Sequence, residues 1–292
     1  MSSHGNIARD LGTLWIVATP IGTLGDFSPR ARDILDGADL ILAEDTRRSR
    51  RLLSHIEIEA GRRLKSLHEH NETSRLSLAL DTLAKGGSVA LMSDAGTPVL
   101  SDPGFLLVRT ARQQKLKVLT VPGPSSFTAA LAASGQPPLP ATLVGFLPAR
   151  SGARGKKIAG FAGIPWTVVV LLSPHRLAAE LKDLSRGLGG ERPATLLAEI
   201  SKRHERAVVA SLAELVGCDE VRNPRGEYVV VVGPAPSAPA QRAVAAAEIR
   251  RAYTAAVADG LPRREALKVV AARLGVGRRE VFECLIDDEK KS

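Results

Sequence analysis

The segment HEHNE at 68–72 brings imidazole and carboxylate groups together within five residues. Imidazoles and carboxylates can accept protons near neutral pH, so His68, His70 and Glu72 are candidate general bases. The two histidines could also lie on one side of a strand and face a metal ion. No convincing third ligand accompanies them, and we therefore expect no metal site.

Further titratable residues follow a second apolar run. Glu44 and Asp45 are also candidate bases, although Asp45 could instead cap the helix that carries the next arginines. Arginine keeps its proton in proteins, so Arg47 and Arg48 suit contact with phosphate better than proton transfer. The identity of the base therefore stays open at this point.

Four loops, three of them rich in Gly and Pro, follow apolar runs that we predict to be strands. Ligands of open α/β sheets bind at the carboxyl ends of strands, and Gly and Pro let the backbone approach a ligand closely. Asp94 could hold the charged or hydroxylated part of a small molecule, and Ser125 and Ser126 could cap a helix or present hydroxyls. The loops are Ala18–Gly22, Glu44–Arg47, Ser93–Gly104 and Pro122–Ser126. Together they predict a ligand pocket at one edge of a sheet.

The elements that position these loops alternate along the chain. Runs rich in Val, Ile and Leu without polar alternation are typical of strands covered by helices on both faces. We therefore predict an α/β fold with mostly parallel sheets. The predicted strands are Thr13–Ala18, Asp39–Ala43, Ser88–Met92, Lys117–Val121, Thr142–Phe146, Trp166–Leu172, Ala194–Glu199 and Glu227–Val232. Helices are predicted over Ser74–Lys85, Pro103–Lys115 and His175–Arg186, with Asp102 as the cap of the second.

Two Pro-rich breaks, at Pro122–Pro124 and Gly233–Pro239, divide the chain. Beyond the second break, apolar residues at 267, 270, 271 and 274 follow the period of a helix, which Gly275–Gly277 ends. A further helix over Arg278–Ile286 would complete a helix-turn-helix-like outline. The predicted domains are an N-terminal α/β domain over 13–122, a C-terminal α/β domain over 123–236 and a small helical domain over 241–288.

The 292-residue chain carries 40 Lys and Arg against 31 Asp and Glu, a formal net charge of +9. Clustered arginines with this surplus are typical of nucleic-acid binding, although a solvated Arg-rich surface gives the same pattern. Six Phe, two Tyr and two Trp offer little for a base-stacking platform, so an RNA contact would depend on Arg and on shape. The candidate RNA-binding residues are Arg47, Arg48, Arg50, Arg51, Arg154, Lys156 and Lys157.

Several common protein classes are excluded. The sequence has no G-x-G-x-x-G, G-x-x-x-x-G-K-[ST] or G-x-S-x-G motif, which argues against dinucleotide-binding, P-loop and α/β-hydrolase enzymes. Only Cys218 and Cys284 are present, which excludes a disulfide framework. The mostly apolar segment Trp166–Leu172 is too short to span a bilayer, and the first ten residues lack the apolar core of a secretory signal. We therefore expect a soluble cytoplasmic protein.

Seven motifs occur in an order that carries a family resemblance. They are TPIG at 19–22, AEDTR at 43–47, HEHNE at 68–72, SDAGTPVLSDPG at 93–104, PGPSS at 122–126, GFLP at 145–148 and SPHRL at 173–177. From about Thr13 to Gly233 the chain resembles the bacterial small-subunit rRNA cytidine 2′-O-ribose methyltransferases of the tetrapyrrole methylase superfamily. The HEHNE and SDAGTPVLSDPG motifs are specific to this branch, and the tail resembles its C-terminal helix-turn-helix-like domain.

The resemblance implies two α/β domains with S-adenosylmethionine in the cleft between them, and a homodimer. It also implies 2′-O-methylation of a cytidine ribose in 16S rRNA of the small ribosomal subunit. The implied cofactor-binding residues are Pro20, Ser93, Asp94, Ala95, Gly96, Thr97, Ser125, Ser126, Leu172, Glu199 and Glu227. The family often has an acidic residue just before the SPHR stretch, where this chain has Leu172, so a packing contact is the role left to that position.

Methyl transfer from a sulfonium is an in-line displacement, and positioning of the acceptor oxygen can supply roughly 7–11 kcal/mol. A base that removes the hydroxyl proton adds about 10²–10⁴-fold, and the 68–72 segment is its favoured source. Two alternatives stay open: a methylase that acts on a corrinoid precursor, and a non-catalytic RNA-binding factor on the same fold. The basic charge, the helical tail and the HEHNE segment disfavour the first, and the near-complete set of cofactor loops disfavours the second.

Overall fold

The computed structural model describes residues 12–68, 70–235, 246–274, 276–278, 281–282 and 284–285. The chain divides between Ala235 and Pro236 into two compact units. The first unit holds two five-stranded sheets, one on each side of the predicted boundary at 122/123. The two predicted α/β domains are therefore contained in a single compact unit.

The described residues form ten strands. They are β1 (Thr13–Val17), β2 (Leu40–Ala43), β3 (Leu64–Ser66), β4 (Val89–Met92), β5 (Lys117–Val121), β6 (Ala141–Phe146), β7 (Thr167–Leu172), β8 (Pro193–Ala198), β9 (Arg206–Ser211) and β10 (Tyr228–Val232). The first sheet has the order β3-β2-β4-β1-β5, and the second has the order β6-β7-β10-β8-β9. All neighbouring strands of the first sheet are parallel.

Helices lie between the strands. In the first unit they are α1 (Pro29–Asp36), α2 (Thr46–His55), α3 (Glu72–Ala84), α4 (Phe105–Gln113), α5 (Ser126–Ala133), α6 (Ser151–Phe161), α7 (Leu177–Leu188), α8 (Leu212–Leu215) and α9 (Asp219–Arg222). In the second unit they are α10 (Ala246–Ala258) and α11 (Arg263–Leu274).

Helices cover both faces of the first sheet. α1 and α2 pack on one face through Leu35 and Leu53, and α3 and α4 pack on the other through Leu83 and Leu107. All four leucines are fully buried, and each such side chain contributes about 1.5–3 kcal/mol to folding. Strands covered in this way need apolar residues on both faces, which explains the lack of polar alternation. The prediction of a parallel, helix-covered sheet is confirmed for this half.

The second sheet differs from the prediction of mostly parallel sheets. β6 and β7 are parallel, whereas β10 is antiparallel to β7 and β8, and β8 is antiparallel to β9. A parallel pair needs a crossover of about a dozen residues or more, and the connection from Ala198 to Arg206 is too short for one. Apolar runs buried on both faces do not record strand direction, so the pattern alone could not reveal this reversal.

All eight predicted strands are present, with ends shifted by at most one residue. The sequence pattern missed β3 and β9. β3 has three residues, and β9 is an edge strand in which exposed and partly buried residues alternate. Val209 of β9 is 71% exposed. β3 carries no continuous apolar run, and the short run AVVA at 207–210 in β9 was not recognised as a strand.

The prediction that Asp102 caps α4 is wrong. The helix begins at Phe105, and Gly104 stands at its N-cap position with φ +117°. A Cβ atom at Gly104 would lie 2.5 Å from a methyl carbon of Leu91 in β4. The left-handed backbone and this close approach both require glycine. Asp102 therefore lies before the helix, where its carboxyl group faces the site described below.

The second unit is described from Ala246 onward. α10 and α11 pack through the buried side chains of Ile249 and Val270, and Val281 from a further helical stretch joins the same core. α11 ends at Leu274, as the pattern predicts. Residues 236–239 of the predicted linker, and residues 241–245 and 286–288 of the predicted domain, lie outside the described part. Within the described part, no helix is long and apolar enough to cross a membrane.

Candidate active site

Five loops meet at the carboxyl-terminal edge of the first sheet, because its five strands are parallel. Four of them are the loops from which a ligand pocket is predicted. The fifth follows β3 and contains His68 and His70. Since the sequence pattern missed β3, the structure is what places the histidine segment beside the other loops.

Hydrogen bonds join three of these loops. Thr19 and Gly96 form a two-way backbone bridge with N···O distances of 2.9 and 3.0 Å. Ser93 is buried, and its hydroxyl donates to the Gly96 carbonyl at 3.0 Å. The Thr97 hydroxyl donates to the Pro124 carbonyl at 3.3 Å. These hydrogen bonds therefore fix the positions of the loops after β1, β4 and β5 relative to one another.

A cavity of about 460 Å³ opens between these loops and strand ends of the second sheet. We call it the sheet–sheet cavity, and its volume is typical of small-molecule sites. Five predicted cofactor-binding residues line it, namely Asp94, Ala95, Ser126, Leu172 and Glu227. Its apolar and aromatic lining includes Ile21, Leu100, Phe146, Tyr228 and Val229. The cavity thus combines apolar surface with a few polar groups.

The other predicted cofactor-binding residues lie outside this lining: Pro20, Ser93, Gly96, Thr97, Ser125 and Glu199. Glu199 Oε1 instead accepts hydrogen bonds from Lys202 Nζ and from the backbone N–H of Glu227, both at 2.8 Å. Ser125 stands at the N-cap position of α5 without a side-chain capping bond. In the structure Glu199 orders the chain before β10, and Ser93, Gly96 and Thr97 hold the loops together.

A second cavity, of about 420 Å³, lies against the histidine segment. We call it the histidine cavity. His68, His70 and Glu72 line one part of it, and Phe105 and Leu106 at the start of α4 line another. The three residues predicted as candidate bases are therefore brought to one concave surface.

Glu44, Ser101 and Asp102 line both cavities, and we call these three residues the shared wall. Burial raises the pKa of Asp102 to about 6, and the nearby Glu44 carboxylate adds to the increase. Partial burial, followed by repulsion from Asp94, raises the pKa of Glu44 as well. A carboxyl group with a pKa near 6 can exchange a proton at neutral pH, which is typical of functional sites.

The Asp94 carboxylate is held at the end of β2. Its Oδ1 accepts a hydrogen bond from the backbone N–H of Asp45 at 3.1 Å, and its Oδ2 lies 3.6 Å from a guanidinium nitrogen of Arg48. Burial nevertheless raises the pKa of Asp94. The Asp45 side chain accepts from the backbone N–H of Arg47 at 2.8 Å, so the predicted cap of α2 is confirmed.

His68 and His70 lie in the turn between β3 and α3, and not on a strand as their spacing allowed. Their ring centroids are 6.0 Å apart in an edge-to-face arrangement. Asn71 orders the first histidine, since its Oδ1 accepts from the His68 N–H at 2.9 Å and its Nδ2 lies 3.0 Å from His68 Nε2. Among the described residues, no three His, Cys, Asp or Glu side chains are grouped to hold a metal ion.

On the second sheet, Leu172 pairs with Tyr228 of β10, and both side chains are buried. Leu172 therefore contributes an apolar side chain to the cavity lining, which fits the packing role expected for this position. The acidic side chain close to the end of β7 is instead that of Glu180 in α7, which is fully buried. Its Oε2 accepts from the backbone N–H of Ser173 at 2.9 Å, and its Oε1 accepts from Arg176 Nε at 2.9 Å. A carboxylate from α7 thus orders the segment that follows β7.

The basic residues predicted to bind RNA include an exposed group on α2, which consists of Arg47, Arg48, Arg50 and Arg51. Arg48 also lines the sheet–sheet cavity. Because α2 follows β2 and the shared-wall residue Glu44, these guanidinium groups are carried beside the candidate site. An exposed cluster of this kind is suited to phosphate contacts.

Arg154 requires a correction, because it is only 5% exposed. One guanidinium nitrogen lies 2.6 Å from Asp183, and another donates to the Ala149 carbonyl at 2.9 Å. Lys157 donates to the Phe146 carbonyl at 2.8 Å, whereas Lys156 is exposed. Arg154 is therefore a structural residue and leaves the set of candidate RNA contacts.

Sequence reasoning singled out the loop Ser93–Gly104 but named neither Ser101 nor Asp102 within it, nor Phe105 after it, as a site residue. An Asp before a Pro is typical of a helix cap, and that reading concealed Asp102. The length of the loop Ser93–Gly104 is the signal that could have found these residues. Strand-to-helix loops usually span about 2–6 residues, and longer ones are often functional.

Residues 13–216 match the family of tetrapyrrole (corrin/porphyrin) methylases. The crystal structure of uroporphyrin-III C-methyltransferase from Thermus thermophilus, complexed with S-adenyl homocysteine, is similar with a TM-score of 0.53. The two chains are 22% identical, and the match covers 76% of this chain and 97% of that one. At this identity the likeness shows a shared fold. Fold and loop-built site together define a methylase of the tetrapyrrole methylase class.

Higher identity is found with proteins named ribosomal RNA small subunit methyltransferase I. The protein from Xylella fastidiosa is 44% identical over 274 residues, which cover 93% of this chain and 98% of that relative. The protein from Pseudomonas aeruginosa is 40% identical over 284 residues, which cover 96% and 99%. The chain therefore belongs to the tetrapyrrole methylase family and, within it, to the group of ribosomal RNA small subunit methyltransferase I.

Proposed function

We propose that this protein transfers a methyl group from S-adenosylmethionine to the 2′-oxygen of a cytidine ribose in 16S rRNA of the small ribosomal subunit. The observation that carries the proposal is the shared wall, at which two cavities of suitable size meet. A cofactor in one cavity and an acceptor in the other would face the same three residues. The relatives' names supply the substrate class.

The sheet–sheet cavity fits S-adenosylmethionine in the chemistry of its lining. Asp94 and Glu227 offer carboxylates that suit a positive group and hydroxyls, and Ile21, Leu172 and Val229 offer apolar surface for a purine ring. When bound, the cofactor supplies a methyl group that its sulfonium has already activated. The protein's remaining task is to place the acceptor oxygen in line and to accept its proton.

In this proposal the histidine cavity receives the target ribose. A ribose hydroxyl is a weak nucleophile at neutral pH, so a base takes its proton as the O–CH₃ bond forms and the CH₃–S bond breaks. His68, His70 and Glu72 line this cavity and are the proposed bases. Asp102 in the shared wall is a further proton acceptor within the same cavity.

We further propose that Arg47, Arg50 and Arg51 of α2, together with Lys156, contact phosphates of the RNA. These side chains are exposed, and α2 begins next to the shared wall. In keeping with the family resemblance, the proposed functional form is a homodimer. Sedimentation velocity would test this form directly.

The experiment that tests the function is transfer of labelled methyl from S-adenosylmethionine to small ribosomal subunits that lack the modification. The product RNA is then hydrolysed in alkali, because a methylated 2′-oxygen cannot attack the adjacent phosphate. The expected result is label in an alkali-resistant dinucleotide that contains cytidine. Label in mononucleotides would move the chemistry to a base and contradict the proposal. No label despite intact cofactor binding would favour a corrinoid precursor as substrate instead.

A further inference from the structure

Phe105 exposes an aromatic ring at the rim of the histidine cavity. It is the first residue of α4 and is 63% exposed, more than any other aromatic side chain in the described part of the chain. Single exposed apolar residues are common on proteins and need no explanation by themselves. This ring is distinguished by its position, because it lines the same cavity as His68 and His70.

The backbone around Phe105 holds the ring in a fixed place. Gly104 has φ +117° and packs closely against Leu91 of β4, so the chain enters the helix at one defined angle. Two residues further on, Leu107 is fully buried against the first sheet. The ring is therefore attached to the first turn of a helix that is packed against the sheet, and its position is fixed by that packing.

The neighbours of Phe105 suit a ligand that is flat and polar at its edges. Glu72 and Asp102 line the cavity together with the two histidines, and a purely apolar partner would leave these groups buried without partners. A nucleobase has an apolar face that stacks on an aromatic ring and an edge that forms hydrogen bonds. Such a base satisfies both parts of the surface.

We propose that Phe105 stacks on the nucleobase of the target nucleotide while the attached ribose faces the shared wall. This inference rests on the proposed function and adds the residue that positions the base. The small number of aromatic residues in the chain disfavours a surface on which several bases stack. A single aromatic ring is nevertheless sufficient to stack on the base of one nucleotide. Unstacked RNA bases are commonly held on single aromatic side chains in this way.

The test compares Phe105→Leu with Phe105→Tyr, since the first keeps an apolar side chain and the second keeps the ring. Steady-state methyl transfer to unmodified small subunits gives kcat and KM, and calorimetry gives the affinity for S-adenosylmethionine. We expect the Leu variant to raise KM for subunits about 5- to 150-fold, which is the range for loss of one base stack. The Tyr variant should stay within about twofold of wild type, and cofactor affinity should be unchanged in both.

Val209→Ala is the matched control, because Val209 is a similarly exposed apolar residue, at 71%, on the edge strand β9 of the other sheet. It should leave KM unchanged. Equal KM for the Leu variant and the wild type would overturn the proposal while the proposed function stands, since the wild type still labels the RNA. A lower association state of either Phe105 variant in sedimentation velocity would assign the ring to a contact between copies and also overturn it. Absence of labelling by the wild type would overturn both proposals.

Discussion

The backbone N–H of Asp45 donates a hydrogen bond to Oδ1 of Asp94 at 3.1 Å. The bond joins the residue that caps α2 to a loop residue that lines the sheet–sheet cavity. Arg48 reinforces the same connection through its ion pair with Asp94. Asp94 therefore connects the proposed cofactor site to the start of α2, the helix that carries the exposed arginines.

Asp94→Ala is expected to weaken binding of S-adenosylmethionine by about tenfold or more. The substitution removes a charged hydrogen-bond acceptor from the cavity and leaves the Asp45 N–H without its partner. Isothermal titration calorimetry measures the change. Asp81→Ala, at an exposed position on α3, is the control and should bind as wild type does. An unchanged affinity in the Asp94 variant would place the cofactor site elsewhere.

His68→Ala and His70→Ala are expected to lower kcat while cofactor affinity stays within about twofold. If one of these imidazoles accepts the hydroxyl proton, its loss should cost about 10²–10⁴-fold. Single-turnover methyl transfer to small subunits measures the chemical step. His204→Ala provides the control, since His204 is exposed in the turn between β8 and β9. Wild-type rates in both variants would remove the 68–72 segment from the mechanism.

Asp102→Asn is expected to raise the melting temperature at about pH 8. The pKa of Asp102 lies near 6 in the folded protein, above its ordinary value of 3.8, so the unfolded chain releases this proton first as the pH rises. The contribution of Asp102 to stability therefore declines between pH 3.8 and about 6 and stays lower above that window. Asparagine does not ionise, so the advantage of the variant should vanish near pH 4.

Thermal unfolding at a series of pH values measures this effect. Asp81→Asn serves as the control because its side chain is exposed on α3 and faces neither cavity. An equal melting temperature for Asp102→Asn and wild type at every pH would show that the Asp102 carboxylate suffers no burial penalty. The same variant should also transfer methyl groups more slowly, since it loses a proton acceptor at the shared wall.

Arg154→Ala is expected to destabilise the fold by about 3 kcal/mol, the lower end of the range for breaking a buried ion pair, because Asp183 keeps only the more distant, exposed Arg186 at 3.6 Å. Urea denaturation followed by circular dichroism measures the loss. Lys156→Ala, two residues further along the same helix, should leave stability unchanged because its side chain is exposed. Equal unfolding midpoints for wild type and the Arg154 variant would contradict the structural role.

Replacement of Arg50 and Arg51 by Ala is expected to reduce the salt dependence of RNA binding. Each lost phosphate contact should lower the slope of log K against log salt concentration by about 0.7–0.9. Titration of 16S rRNA at several salt concentrations measures the slope. Lys182→Ala, an exposed residue of α7, is the control. A slope equal to that of wild type would remove α2 from the RNA-binding surface.

Particular residues show how far sequence reasoning could reach. Apolar runs such as Val89–Met92 located strands almost to the residue, because burial on both faces leaves a strong local signal. Local chemistry also predicted the Asp45 cap. The direction of β10 and the burial of Arg154 depend on distant parts of the chain, which no local pattern records.

For the candidate site, the sequence likewise predicts the loops but not how they come together. Three of the loops are recognisable from their Gly and Pro content and the fourth, Glu44–Arg47, from its titratable residues, and parallel strands bring such loops to one edge. That the histidines share a cavity with Asp102 depends on the short strand β3 and on Gly104, which delays the start of α4. Both features are determined by tertiary packing, so only the folded chain reveals the shared wall.

The strand order of the first sheet governs how the nascent chain can fold. β1 is synthesised early, yet its neighbours in the sheet are β4 and β5. Leu14 therefore cannot pair with Val89 on one side or with Val118 on the other until those residues have been synthesised. Ribosomes add about 5–20 residues per second, which leaves the apolar β1 without these partners for several seconds. During synthesis both edges of this strand therefore stay unpaired until β4 and β5 have been made by the ribosome, the same particle whose RNA the finished protein is proposed to modify.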